Sequence, residues 1–109
     1  MDYFQDYRSH IGFSQEKPSK TTLFRTPRML LGINCLEPGQ SHHAHQHAEQ
    51  DKFYFVVEGE GEFTVGKETQ KGRMGMTVWA PAGVSHAVTN AGPYRLVLLM
   101  GMSPAPPNA

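Results

Sequence analysis

Four of the six histidines in this 109-residue chain fall within one short stretch, as His42, His43, His45 and His47. In an extended strand, residues two apart share a face, so His43, His45 and His47 would point one way and His42 the other. Two imidazoles spaced in this way can each place a nitrogen on one metal ion at about 2.0–2.1 Å. For an isolated His-x-His pair, a solvated histidine-rich loop is the commoner interpretation.

A second group of residues suited to chemistry follows later in the chain. The tripeptide Pro81-x-Gly83 precedes His86, and Asn90 comes four residues after that histidine. Proline fixes φ and glycine permits a positive φ, so the tripeptide predicts a tight turn that directs the next strand inward. His86 would open that strand, and Asn90 would share its face. A satisfied core histidine explains His86 alone, but together with the earlier pair a shared metal site is the stronger hypothesis.

The spacing of these residues resembles the two signatures of the cupin superfamily. The first reads glycine, five residues, His-x-His, three or four residues, glutamate, six residues, glycine; Gly39, His45, His47 and Gly59 fall at its positions. The second reads glycine, five residues, Pro-x-Gly, two residues, histidine, three residues, asparagine, and residues 75–90 match it at every fixed position. The resemblance extends from about residue 30 to residue 100. It implies an all-β double-stranded β-helix, the cupin jelly-roll barrel of roughly six to eight strands, with a metal inside one end.

The sequence departs from the family at the glutamate. With four intervening residues this position falls on Lys52, whose ammonium would repel a cation. With three it falls on Asp51, an oxygen donor that would face the other way unless a bulge shifts the register. Gln50 and Glu49 are weaker candidates for the same position.

The resemblance therefore implies three histidine ligands, His45, His47 and His86, with Asp51 as a candidate fourth. Three neutral imidazoles leave coordination positions open for water or substrate, the arrangement that catalysis needs. Such a site could hold Fe, Mn, Ni, Cu or Zn as the divalent ion, and the sequence does not distinguish among them.

Tyr54 and Lys52 are the candidate catalytic residues. They are two residues apart in a predicted strand and would share a face, so either could donate a hydrogen bond into a pocket. Several methionines and Trp79 could line a pocket for a small organic ligand, although ordinary barrel packing explains them more simply. Cys35, in an apolar strand, is interpreted as a small core residue.

Short strands must position these residues, because eleven glycines and eight prolines divide the chain into short pieces. No window of about 11 residues carries the apolar period of a helix, so long amphipathic helices are not expected. We predict strands over residues 28–36, 41–47, 53–57, 62–65, 77–80, 86–89 and 94–100. Turn signals at intervals of roughly 8–12 residues favour a sandwich or barrel.

The chain is expected to form one domain. Residues 1–20 are interpreted as an N-terminal segment that forms a swapped strand or a short helix. Residues 21–102 would form the barrel, and the proline-rich residues 103–109 a mobile tail.

Composition excludes several classes of function. Ten Lys and Arg balance ten Asp and Glu, which argues against a nucleic-acid partner. The longest apolar stretch, residues 96–100, is far below the roughly 20 residues of a membrane span. The single cysteine and an N-terminus without a basic or apolar segment predict a cytoplasmic protein.

The sequence favours a metal-dependent enzyme, either a dioxygenase on a small organic substrate or an isomerase or lyase on a sugar-like one. The alternatives are a non-enzymatic module that binds or senses a small ligand, and a metal-free structural cupin. A homodimer is also expected, because the core is small and the N-terminal segment carries apolar residues without an evident place in one barrel: Tyr3, Phe4, Tyr7, Ile11 and Phe13.

Overall fold

The chain folds into two antiparallel sheets that face each other. This computed structural model describes residues 3–45 and 47–107, apart from the side chain of His45. The described residues form nine strands: β1 Ser19–Thr26, β2 Met29–Leu36, β3 Ser41–His45, β4 Asp51–Glu58, β5 Glu60–Val65, β6 Glu68–Arg73, β7 Thr77–Ala80, β8 His86–Thr89 and β9 Leu96–Ser103. One sheet has the order β1-β2-β9-β4-β7 and the other the order β3-β8-β5-β6. The predicted all-β jelly roll is confirmed.

Alternation along the strands separates an interior face from an outer face. In β4, every second residue from Lys52 to Val56 is buried, while Asp51 on the outer face is exposed. The interior core between the sheets consists of Leu36, Tyr54, Val56, Phe63, Val88, Leu96, Leu98, Met100 and Met102. Because side chains alternate with a period of two, the core fixes which β4 residues can reach the interior.

The N-terminal segment covers part of the outer face of the five-stranded sheet. It contains a 3-10 helix at Tyr7–His10 and no strand before Ser19. Tyr7, Ile11 and Phe13 pack on a second cluster that includes the buried Ile33 and Cys35. Three of the five apolar residues behind the dimer prediction therefore lie on their own chain, while Tyr3 and Phe4 are exposed. Residues 1 and 2 of this predicted segment lie outside the described residues.

The first residues of the predicted tail are held against the turn between β1 and β2. The Ser103 hydroxyl donates to the Arg28 carbonyl oxygen at 2.8 Å, and the Ala105 amide donates to the Pro27 carbonyl oxygen at 3.1 Å. The Arg25 guanidinium donates to the Pro106 carbonyl oxygen. These hydrogen bonds connect the first residues of the segment to the β1–β2 hairpin; the mobility of residues 103–109 stays a prediction, and residues 108 and 109 lie outside the described residues.

Two strands, β1 and β6, were not expected from the sequence, and β3 is shorter than expected. Nearly every residue of β6 is exposed, so it lacks the apolar alternation that marks a strand. Strand β3 ends at His45, and its pairing with β8 shifts register between His42 and His45. His43 and Ala44 are consecutively exposed, so the strict alternation predicted for the histidine stretch does not hold there.

Candidate metal centre

The two histidine motifs meet as neighbouring antiparallel strands. His45, the last residue of β3, pairs with His86, the first residue of β8. The predicted turn lies beside them: Gly83 has φ of +80°, and its amide donates to the His47 carbonyl oxygen at 2.9 Å. This hydrogen bond joins the turn before β8 to the segment after β3, which brings the two motifs to one end of the barrel.

His86 is buried, with 3% of its surface exposed, and its ring is oriented by the backbone. Its Nδ1 lies 3.3 Å from the Val84 carbonyl oxygen. A carbonyl oxygen can only accept, so Nδ1 carries the proton and the lone pair of the neutral ring is on Nε2. Histidine ligands of metals generally donate their other ring N–H to such a carbonyl or to a carboxylate.

His47 lies close enough to His86 for the two rings to share a metal. Their ring centroids are 5.7 Å apart and the ring planes are inclined by 33°. Two imidazoles bound at about 2.0–2.1 Å to one ion have centroids no more than about 6.5 Å apart, so the observed separation fits. Within the described side chains, which leave out that of His45, no three His, Cys, Asp or Glu residues are grouped to hold a metal. The backbone of His45 pairs with that of His86, which places this third histidine at the same end of the barrel.

The other two histidines of the stretch are placed differently. His43 is exposed, and His42 is half-buried opposite Val88 in the adjoining strand. Strand alternation predicted that His43 shares the face of His45. The register shift in β3 interrupts the regular alternation on which that prediction depended.

Asp51 stands on the outer face of the barrel. It is exposed, and its Oδ1 accepts a hydrogen bond from the Ala82 amide at 2.9 Å. This contact supports the Pro81-x-Gly83 turn. In this arrangement Asp51 braces the turn before β8, and its side chain is on the opposite face of β4 from Tyr54.

Lys52 takes the interior position that the family signature gives to glutamate. Only 4% of its surface is exposed, and it lies between Ala80 of β7 and Met102 of β9 in the sheet. Its Nζ is 4.8 Å from the centroid of the Tyr54 ring. Burial lowers the pKa of Lys52 to about 8, and the charge of Lys20 acts in the same direction.

Tyr54 connects the lysine to the histidines. Its ring centroid is 6.2 Å from that of His86 in an edge-on arrangement and 5.7 Å from that of Phe63. The hydroxyl is buried and has no hydrogen-bond partner among the described residues. Burial raises the pKa of Tyr54, so this side chain remains a neutral phenol that can donate one hydrogen bond.

Asn34 is an interior polar residue that the sequence reasoning missed. It is fully buried in β2, and neither atom of its amide has a hydrogen-bond partner among the described residues. Its position between Ile33 and Cys35, which pack under the N-terminal segment, places it on the interior face. A single polar residue inside the apolar run of residues 29–36 was the signal that could have identified it.

The Asn90 side chain, in contrast, connects the end of β2 to the loop between β8 and β9 through hydrogen bonds. Its Nδ2 donates to the carbonyl oxygens of Leu36 and Tyr94 at 2.9 and 2.8 Å, and its Oδ1 accepts from the Gly92 amide at 3.2 Å. All of these partners belong to the chain itself. The asparagine of the second signature is thus a structural clamp beyond the end of β8.

A cleft opens between the edge strands β6 and β7. It has a volume of about 460 Å³, and Phe63, Met76 and Trp79 are among the residues that line it. No histidine is among the residues that line this cleft, and two of its lining residues, Phe63 and Val78, also contact the interior core. Met74 lines a separate cleft of about 330 Å³, and Met100 and Met102 belong to the buried core.

Comparison with known proteins agrees with this architecture. The family model described as a cupin domain matches residues 32–101. The crystal structure of TT1209 from Thermus thermophilus has a TM-score of 0.91 and is 35% identical, covering 94% of this chain and 98% of that one. A conserved protein with a double-stranded β-helix domain from Klebsiella pneumoniae has a TM-score of 0.89 at 20% identity, covering 95% of this chain and 91% of that one.

A curated relative is also similar in sequence. The uncharacterized protein SCO3923 from Streptomyces coelicolor is 42% identical over 62 residues, which is 57% of this chain. The match spans 58% of the length of that relative. The chain belongs to the cupin family.

No helix among the described residues is long and apolar enough to cross a membrane.

Proposed function

We propose that this chain is a metal-binding cupin in which His45, His47 and His86 hold one divalent transition metal. The observation that carries the proposal is the arrangement of His86. Its Nδ1 is engaged by the Val84 carbonyl oxygen, its ring lies 5.7 Å from that of His47, and its backbone pairs with His45. The lone pair on Nε2 and the two neighbouring histidines match the donor set of an open three-imidazole site.

The reaction that this site supports best is a dioxygenation of a small organic substrate, or an isomerase or lyase reaction on a sugar-like one. When bound, the metal would supply a Lewis acid that polarises a carbonyl or stabilises an enolate. The Val84 carbonyl oxygen holds the His86 ring in position. The Tyr54 hydroxyl supplies a neutral donor for a substrate oxygen, and the apolar core around it excludes water.

A non-enzymatic small-ligand-binding or regulatory module is the second candidate. Lys52 favours it, because a buried ammonium at the position of the family glutamate replaces an anionic donor with a cation. Binding of a ligand within the barrel needs no general base, and the same buried polar groups serve recognition as well as they would serve catalysis.

The metal site is tested by elemental analysis of the purified protein, before and after incubation with each divalent ion. We expect about one equivalent of metal in the wild type. We expect none in the triple variant H45Q/H47Q/H86Q, whose circular dichroism should retain the β-sheet signal. H43Q, in the same stretch but exposed, is the matched control and should keep its metal. One equivalent of metal in the triple variant would overturn the assignment.

Oxygen uptake by Fe(II)-loaded protein separates the enzyme from the binding module. A panel of diketones, thiols and phenols is offered in an oxygen electrode, and sugar phosphates are followed by NMR for isomerisation or elimination. Turnover that disappears in the triple variant supports the enzyme. Saturable binding without turnover of any member of either panel supports the binding module.

A further inference from the structure

Lys52 is a buried cation without a described anionic partner. Its side chain is almost entirely removed from solvent, and no carboxylate of the described residues forms an ion pair with it. Its one described charge interaction is with another cation, Lys20. Charged groups in protein interiors are paired or bound to a ligand, because an isolated buried charge is strongly destabilising.

The Tyr54 ring compensates only part of this charge. The ammonium lies 4.8 Å from the ring centroid, a cation–π distance, but such a contact is weaker than an ion pair in the same surroundings. The interior also holds further unsatisfied donors, since the Tyr54 hydroxyl and the Asn34 amide lack described partners. Buried polar groups in folded proteins are nearly always satisfied, so several unsatisfied ones in one barrel indicate a missing polar occupant.

We propose that the barrel interior takes a ligand with a carboxylate group, and that the ammonium of Lys52 binds this carboxylate. The Tyr54 hydroxyl, on the same face of β4, is the second donor toward it. This inference rests on the proposed function for the histidine site beside Tyr54. It deepens that function by naming the class of substrate. Lys52 is then the residue that determines specificity for an anion.

The charge of the site favours a monocarboxylate over a phosphate. In the metal-free barrel, the Lys52 ammonium with the neutral Tyr54 hydroxyl beside it can balance a single negative charge. Without the metal ion, a phosphate dianion in the same interior would keep an uncompensated charge, because no second Lys or Arg of the described residues is buried there. A neutral amide of the same shape would leave the ammonium unpaired, so it should bind poorly.

Two methionines report binding at this position. Met102 pairs with Lys52 and Met100 pairs with Tyr54 across β9 and β4, and both side chains are in the interior core. We would titrate protein labelled with 13C-methyl methionine with propanoate and with propanamide, at constant ionic strength. The titration is carried out on chelator-treated and on metal-loaded protein.

Propanoate should shift the Met100 and Met102 methyl resonances saturably in the wild type, and propanamide should not. The variant K52L, which adds no methionine, should bind propanoate at least about tenfold more weakly. K67L is the matched control, because Lys67 is an exposed lysine in the turn between β5 and β6 with no described interaction with Lys52, and it should bind as the wild type does. K52L removes a buried charge and is expected to fold.

Equal binding of acid and amide, an unchanged affinity in K52L, or no shift in either form of the wild type would each overturn the carboxylate proposal. Metal content is measured separately on the same samples. Wild-type protein that holds no metal but binds propanoate through Lys52 would refute the metal site and leave the carboxylate site standing. Wild-type protein that holds metal but does not bind propanoate would refute the carboxylate site and leave the metal site standing.

Discussion

Lys52 carries its ammonium group in the interior, where burial lowers its pKa to about 8 from an ordinary value of 10.5. The residue stands where the family signature has a glutamate, so one substitution reverses the sign of the charge beside the histidines. Asp51 and Lys52 are adjacent in β4, but their side chains lie on opposite faces of the sheet and have different roles. Strand alternation sends the lysine inward, and it leaves the aspartate outside to brace the turn that precedes His86.

The depressed pKa of Lys52 predicts that stability rises with pH. Between about pH 8 and pH 10 the unfolded chain keeps a proton that the folded chain has lost, so raising the pH stabilises the fold. From pH 7.5 to 9.5, the wild type should gain about 2 kcal/mol relative to K52L in urea unfolding. K52L should be the more stable protein at pH 7.5. The raised pKa of Tyr54 acts in the opposite direction above about pH 10, but it is common to both proteins.

A constant difference in the free energy of unfolding between wild type and K52L across this pH range would contradict a buried Lys52 ammonium without an anionic partner. K67L serves again as the control, since Lys67 is exposed and its removal should change neither the slope nor the midpoint appreciably.

The strands are positioned by turns in which glycine is required for two separable reasons. Gly39 and Gly59 both have positive φ, +88° and +80°. A Cβ at Gly39 would meet nothing within 4 Å, whereas one at Gly59 would lie 2.3 Å from the Arg95 carbonyl oxygen. The first turn thus needs glycine for its conformation alone, and the β4–β5 turn needs it also for the close approach of β9.

This difference predicts unequal effects of the same substitution. Gly39→Ala should destabilise the protein by about 1–2 kcal/mol through the left-handed conformation, and Gly59→Ala by a further 1–3 kcal/mol or so through the clash. Urea unfolding of the two variants at one pH measures both. Equal losses would show that the chain near Arg95 moves aside at little cost.

Much of the fold, and the approach of the two histidine motifs to each other, could be predicted from the sequence, because both depend on local signals. Strands β7 and β8 have the predicted bounds, since Pro81 and Gly83 mark the turn between them and Ala91 and Gly92 the end of the second. Strand β6 could not be predicted, because its exposed polar residues carry no alternation. The inward orientation of Lys52 depended on the register of β4 against β9, a non-local property that residue spacing does not contain.

At the scale of the whole molecule, the N-terminal segment closes one face of the barrel. Tyr7, Ile11 and Phe13 cover the outer side of β2 and β9 on the same chain. Replacing all three with serine should lower the free energy of unfolding by about 3 kcal/mol, because half-buried apolar surface returns to water. Replacing the exposed Tyr3 and Phe4 with serine should change it by less than about 0.5 kcal/mol.

The triple and the double serine variants also distinguish the stability of the barrel from the association of two chains in the predicted homodimer. Sedimentation equilibrium of the wild type at micromolar concentrations should give about twice the 12.2 kDa chain mass. Tyr3 and Phe4 of this segment are 76% and 88% exposed. If they lie in the dimer interface, their double serine variant weakens association at unchanged stability, since an interface loses apolar contact that the monomer never had. A wild type that sediments as a monomer throughout this range would contradict the homodimer and leave the barrel and its interior site unaffected.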